Sequence, residues 1–113
     1  MRIINKTKGT ILADNAIVAD SLLSRMKGLL GRQNFIMGEA LVIKPCNCVH
    51  SFFMHSPIDV LFIDSNNRII GIKRYFNPWR VSPIYLNGKS VVELPCGVVA
   101  KSGTATGDEI MLL

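Results

Sequence analysis

The chain lacks the raw material for a disulfide framework. Three cysteines are an odd count and no export signal accompanies them, so thiols that are reduced, buried or ligating are expected. It also lacks any apolar run near the ~20 residues that span a bilayer. The N-terminal stretch MRIINKTKGTILADNAIVAD has no continuous apolar segment of the signal-peptide kind, which points to a soluble, cytoplasmic protein with no membrane span. Phosphate-loop and dinucleotide-binding glycine fingerprints are missing, as are internal repeats, low-complexity tracts and linkers. Charged residues make up only 19% of the chain against 49% hydrophobic, a balance that excludes disorder and favours a packed core. At 113 residues there is room for one such core, so residues 1–113 are expected to form a single β-rich domain.

Thirteen basic residues against eight acidic ones give a formal charge of +5. They are scattered, with Lys73-Arg74 the one adjacent basic pair, and no groove-reading motif accompanies them. This pattern reads as a solvated face and argues against nucleic acid as the partner.

The apolar spacing alternates more than it turns. Arg2 to Asn5 and Thr10 to Ala13 flank Lys6-Thr7-Lys8-Gly9, the outline of a hairpin with glycine in its turn. Leu22, Leu23, Met26, Leu29 and Leu30 then recur at helical spacing behind a capping Asp20 or Ser21, which predicts one amphipathic helix near residues 20–30. Strand signals follow at Leu41 to Ile43, at Ile58 to Ile63, at Arg68 to Tyr75 after the turn residues 64–67, at Ser90 to Leu94 and at Glu109 to Leu113. The segment FNPWRVSPIYL (76–86) carries two prolines and reads as an irregular connection. The expected fold class is mainly β (α+β), a compact β-barrel or jelly-roll-like sandwich with one helix.

Candidate chemistry gathers in PCNCVHSFFMHSPIDVLFID, residues 45–64. If the stretch from Cys46 to Met54 is extended, Cys46, Cys48, His50, Phe52 and Met54 share a face; if it is helical, Cys46, His50 and Met54 still align. Thiolate, imidazole and thioether together suit copper or zinc, with Cys46, Cys48 and His50 as the candidate ligands. A blue-copper arrangement would need a second histidine from an earlier strand, and none precedes His50. Asp59 and Glu93 each interrupt an apolar strand. Convergent, they would resemble general acid/base machinery beside His50; separate, each would accept loop N–H groups or pair with an arginine such as Arg80. A cysteine with His50 and Asp59 supplies the residue types of thiol catalysis without a spacing that fixes their geometry. Tyr75, Phe76, Trp79 and Tyr85 form an aromatic cluster that would serve either as a recognition patch or as a lid over one end of the fold.

The order R-M-x-G-L-L-x-R (25–32), H-S-F-F-M-H-S-P-I-D-V-L-F-I-D (50–64), V-V-E-L-P-C-G (91–97) and Gly107-Asp108 resembles the prokaryotic family called domain of unknown function 192, over almost the whole chain. The resemblance implies a small single β-rich domain and no established activity. Cys96 stands where that family often has alanine, so a cysteine-centred function there would be peculiar to this chain. The leading expectation is a module binding a small molecule or a protein, its pocket bordered by Cys46, His50, Met54, Asp59, Trp79 and Glu93. The alternative is a metal-dependent or thiol-dependent enzyme using Cys46, Cys48 and His50.

Overall fold

The computed structural model describes residues 1–20, 35–52 and 54–113. Strands β1 (Ile3–Asn5) and β2 (Thr10–Ala13) make the expected antiparallel hairpin, and Gly9 takes the left-handed φ of 70° that closes its turn. The C-terminal strand β8 (Ile110–Leu112) pairs with the other side of β1, giving a three-stranded sheet of order β2-β1-β8. The second sheet contains β3 (Asn15–Ala19), β4 (Glu39–Ile43), β5 (Ile58–Ile63), β6 (Ile69–Phe76) and β7 (Ser90–Pro95) in the order β3-β4-β7-β5-β6. A short helix, α1 (Val98–Ser102), follows β7. The protein is mainly β with two open sheets, so the expected barrel does not close among the described residues.

The two faces of the larger sheet are buried for different reasons. On one face Ala40, Val42, Leu61, Val92 and Leu94 pack against Ile3, Leu12 and Ile110 of the smaller sheet, with Val98 and Val99 of α1 closing the end. On the other, Val60, Phe62, Val91, Leu41 and Ile43 are covered by the connections before β5 and after β6, which contribute Val49, Met54, Cys46 and Tyr85. Double coverage explains why every residue of β5 is buried and why its sequence reads as a nearly unbroken apolar run. Tyr85 lies over Phe62 with ring centroids 4.1 Å apart, in space left by the missing side chain of Gly71; a methyl group there would overlap the Tyr85 ring. The irregular connection is thereby fastened to the sheet.

Several expectations change. The described part of the stretch from Cys46 to Met54, residues 46–52 and 54, is neither strand nor helix but irregular, with one isolated bridge, His50 to Val81. Strand β3, which pairs in parallel with β4, and helix α1 carry no clear signal in the sequence. The amphipathic helix expected near residues 20–30 lies outside the described residues, apart from Asp20.

Buried polar groups tie the hairpin to the loop before β8. Asn5, fully buried, donates from Nδ2 to Thr104 Oγ1 at 3.0 Å and to Asp108 Oδ2 at 2.9 Å. Lys8 Nζ reaches both Asp108 oxygens at 3.0 Å, and the Ala105 amide donates to Oδ2 at 2.9 Å. Burial pushes the Asp108 carboxyl up. The hydrogen bonds from Asn5, Ala105 and Lys8, with the charge of Lys8, outweigh it and hold the group below the usual carboxylate range.

Candidate functional site

Pro78 and Pro83 deny the connection after β6 a regular ladder of amide donors. Two buried serines supply the missing pairing. The Val49 amide donates to Ser82 Oγ and the Ser82 amide to the Val49 carbonyl, both at 2.9 Å. The Ser51 amide donates to the Arg80 carbonyl and the Arg80 amide to Ser51 Oγ, again at 2.9 Å, while the Trp79 amide donates to the Ser51 carbonyl at 3.0 Å. Ser51 Oγ also donates to the Asn77 carbonyl. Ser51 and Ser82 are 1% and 5% exposed, so these bonds form where water does not compete.

Alternation along this improvised ladder turns Val49 and Ser51 inward and presents His50 and Phe52 outward. The His50 ring lies 4.8 Å from that of Phe52, which stacks on Trp79 at 5.7 Å. His50 Nδ1 accepts the Phe52 amide at 3.2 Å, which leaves Nε2 as the donor of the neutral ring. Trp79 remains 58% exposed, and Tyr75, Val81, Ile84 and Leu86, close to it in the sequence, are exposed as well. Tyr75 and Trp79 have left-handed φ values of 51° and 64°, a conformation that costs a bulky residue about 1–2 kcal/mol.

The structure divides the residues singled out from the sequence. His50 and Trp79 come together through Phe52 on the outward surface. Met54 is buried in the core cluster beneath. Cys46 and Cys48 are half-buried thiols, with Cys46 Sγ donating to the Cys48 carbonyl at 3.1 Å. Among the described residues no three His, Cys, Asp or Glu side chains gather as a metal site requires, so Cys46, Cys48 and His50 do not compose one in this geometry. Of the aromatic cluster, Tyr75 and Trp79 are exposed, whereas Phe76 is buried and Tyr85 half-buried.

The two carboxylates do not converge. Asp59 is opposite Leu94 and Glu93 opposite Val60 in the same antiparallel ladder, so the pleat sends Asp59 and Glu93 to opposite faces of the sheet. Asp59, 1% exposed, accepts the Tyr75 amide on Oδ1 at 3.1 Å and the amides of Gly97 and Val99 on Oδ2 at 3.1 and 2.9 Å. It caps α1 from a neighbouring strand and holds the Tyr75 bulge, the loop-amide reading of that acid. Burial, and then the Asp59 charge, push the half-buried Cys96 thiol up, the wrong direction for a nucleophile. A separate cavity of about 540 Å³, lined by Ile11, Leu12, Met37, Val98 and Lys101 among others, contains none of the expected pocket residues.

Sequence reasoning missed Ser51 and Ser82 as the groups that position the platform, and the exposed Val81. The available signal was Ser-Pro at 82–83 and Pro-Trp at 78–79, where proline forces side chains to replace backbone donors.

These features define a small two-sheet domain with a fastened surface platform. The family described as "Uncharacterized ACR, COG1430", domain of unknown function 192, matches residues 3–112, and the chain belongs to it. A UPF0127 protein of Thermococcus sibiricus is 36% identical, the match covering 96% of this chain and 72% of that protein. A UPF0127 protein of Pyrococcus horikoshii is 29% identical over 96% of both. The crystal structure of a protein of unknown function from Novosphingobium aromaticivorans superposes with a TM-score of 0.83 at 19% identity, covering 99% of this chain and 84% of that one. These relatives carry no established specific function.

Proposed function

We propose that the protein is a partner-binding module, a jelly-roll-like scaffold that presents the His50, Phe52 and Trp79 platform to another macromolecule. The observation that carries this reading is the backbone of Trp79. A bulky residue held at φ 64° destabilises the fold where it stands, yet its ring is left 58% exposed. Glycine would satisfy that backbone without strain. Stacking on Phe52 occupies part of that side chain, and the exposed remainder of a Trp ring is the kind of surface from which a protein-contact hot spot is built. Partner binding is favoured over a small molecule because the concavity beside the platform, lined by Arg80 and Val81, holds only about 250 Å³, whereas small-ligand sites commonly enclose ~300–1,000 Å³.

The test is selection of a random peptide display library on the immobilised protein, with Trp79→Gly and Ile11→Ala as counter-targets. Enriched peptides should lose roughly tenfold or more in affinity on Trp79→Gly and none on Ile11→Ala. Thermal unfolding of Trp79→Gly should be unchanged or shifted upward. Enrichment indifferent to Trp79, or no enrichment, overturns the reading.

A further inference from the structure

The platform continues into a groove of about 250 Å³, whose lining includes Lys73, Arg74, Tyr75, Arg80 and Val81. The two surfaces are one: Val81 lines the groove and bridges to His50, and Arg80 follows Trp79 in the chain. The ion pairs formed among the described residues lie elsewhere, at Lys6 with Glu109, Lys8 with Asp108 and Arg68 with Glu109. Lys73, Arg74 and Arg80 have no carboxylate partner among the described residues. Asp59 touches the groove from behind through the Tyr75 amide, but it is buried and already accepts three N–H groups.

We infer that the occupant of this surface is an acidic segment of a partner protein, which sets an apolar anchor against Phe52 and Trp79 and carboxylates against Lys73, Arg74 and Arg80. The inference rests on the partner-binding reading and adds the partner's chemistry. Three uncompensated cations at the border of an apolar patch favour a neighbour of opposite charge and repel a basic one. A second copy of this chain is disfavoured, because a two-fold contact through this face would set like cations against each other. Single-stranded nucleic acid fits the charge but not the rings. Stacking platforms offer separate ring faces to successive bases, whereas His50, Phe52 and Trp79 spend faces on one another and Val81, bridged to His50, is aliphatic.

The experiment sequences the peptides enriched from a display library in which acidic, basic and apolar residues are equally frequent. Their affinities are then measured by fluorescence anisotropy for wild type, for Lys73→Glu/Arg74→Glu/Arg80→Glu, for the surface control Lys44→Glu/Lys101→Glu and for Trp79→Gly, with the oligonucleotide dT15 alongside. Circular dichroism confirms that each variant is folded. Enriched peptides should carry two or more Asp or Glu beside a Leu, Phe or Trp. They should weaken roughly tenfold or more on groove charge reversal and stay unaffected by the control reversal. Peptides that need Trp79 but are not acidic, or that survive groove reversal, overturn the acidic partner and leave the binding module standing. Peptides indifferent to Trp79, or no enrichment, overturn both. Tighter binding of dT15 than of any enriched peptide overturns the protein partner in favour of nucleic acid.

Discussion

Removing the carboxylate of Asp59 should be among the most damaging single changes in the larger sheet. Asp59→Ala strands three amide donors at once. The Val99 amide is buried, and leaving it unpaired costs roughly 1–3 kcal/mol. The amides of Tyr75 and Gly97 are only partly buried and regain water, so each loses the net value of a hydrogen bond, about 0.5–1.5 kcal/mol. The sum is roughly 2–6 kcal/mol, a large part of the roughly 5–15 kcal/mol that holds a domain of this size together. Melting should fall by on the order of 10–20 °C. Asp59→Asn separates the contributions. Its one carbonyl oxygen can keep the Gly97 and Val99 amides, but its NH2 then faces the Tyr75 amide, so the loss should lie between those of wild type and alanine. Urea unfolding followed by far-UV circular dichroism measures all three. An alanine variant within 1 kcal/mol of wild type, or an asparagine variant worse than alanine, would refute the capping account.

Gly71→Ala forces its methyl group into the Tyr85 ring and should destabilise by about 1–3 kcal/mol, with faster amide exchange in residues 77–89; unchanged exchange there would mean Tyr85 does not fasten the connection. The lowered carboxyl of Asp108 contributes stability that is present above the ordinary carboxylate value of about 3.9 and is lost as pH falls through the lower native one. Asp108→Asn should therefore reduce stability at neutral pH and flatten the acid limb below about pH 4, and a parallel limb would count against the network. Cys96, isolated in a Cys46→Ser/Cys48→Ser background, should label more slowly in the native protein than in urea at pH 8. Stability should decline above about pH 8.5, where the unfolded thiol ionises and the native one keeps its proton; equal labelling rates would contradict the raised value.

Elements whose pairing is antiparallel and whose faces are covered were legible. The run from Ile58 to Ile63 is β5 to the residue, and the hairpin of β1 and β2 follows its turn. Helix α1 was not legible because Val98-Val99 is a poor helix start, and its cap, Asp59, sits nearly 40 residues earlier in the chain. Strand β3 was hidden because its partner β4 lies across a long stretch of chain and Asp14-Asn15 resembles a turn. Within the site, Trp79 and His50 could be named from residue type. Their meeting through Phe52 depends on Ser51 and Ser82 replacing backbone donors, a tertiary arrangement without a local pattern. Of the two alternatives left open for Asp59 and Glu93, parity decides for separation, since residues paired one step out of register in a pleated ladder point apart.

Among the described residues strand β6 is the border of its sheet, and they pair with it only at its beginning, where Ile69 exchanges backbone hydrogen bonds with Asp108 and Gly107. An uncovered border is a template for the same strand of another molecule and, repeated, for fibre growth. Here the ladder slips between Ile58 and Val60, and the extra residue on β6 brings Tyr75 into its left-handed turn just after Lys73 and Arg74. The bend spoils the straight edge that polymerisation needs, and the paired cations repel an identical strand. Neutralising Lys73 and Arg74 would thus expose the protein to self-association in concentrated solution. The groove's charge would serve colloidal stability as well as the choice of partner, and selection on either would preserve the other.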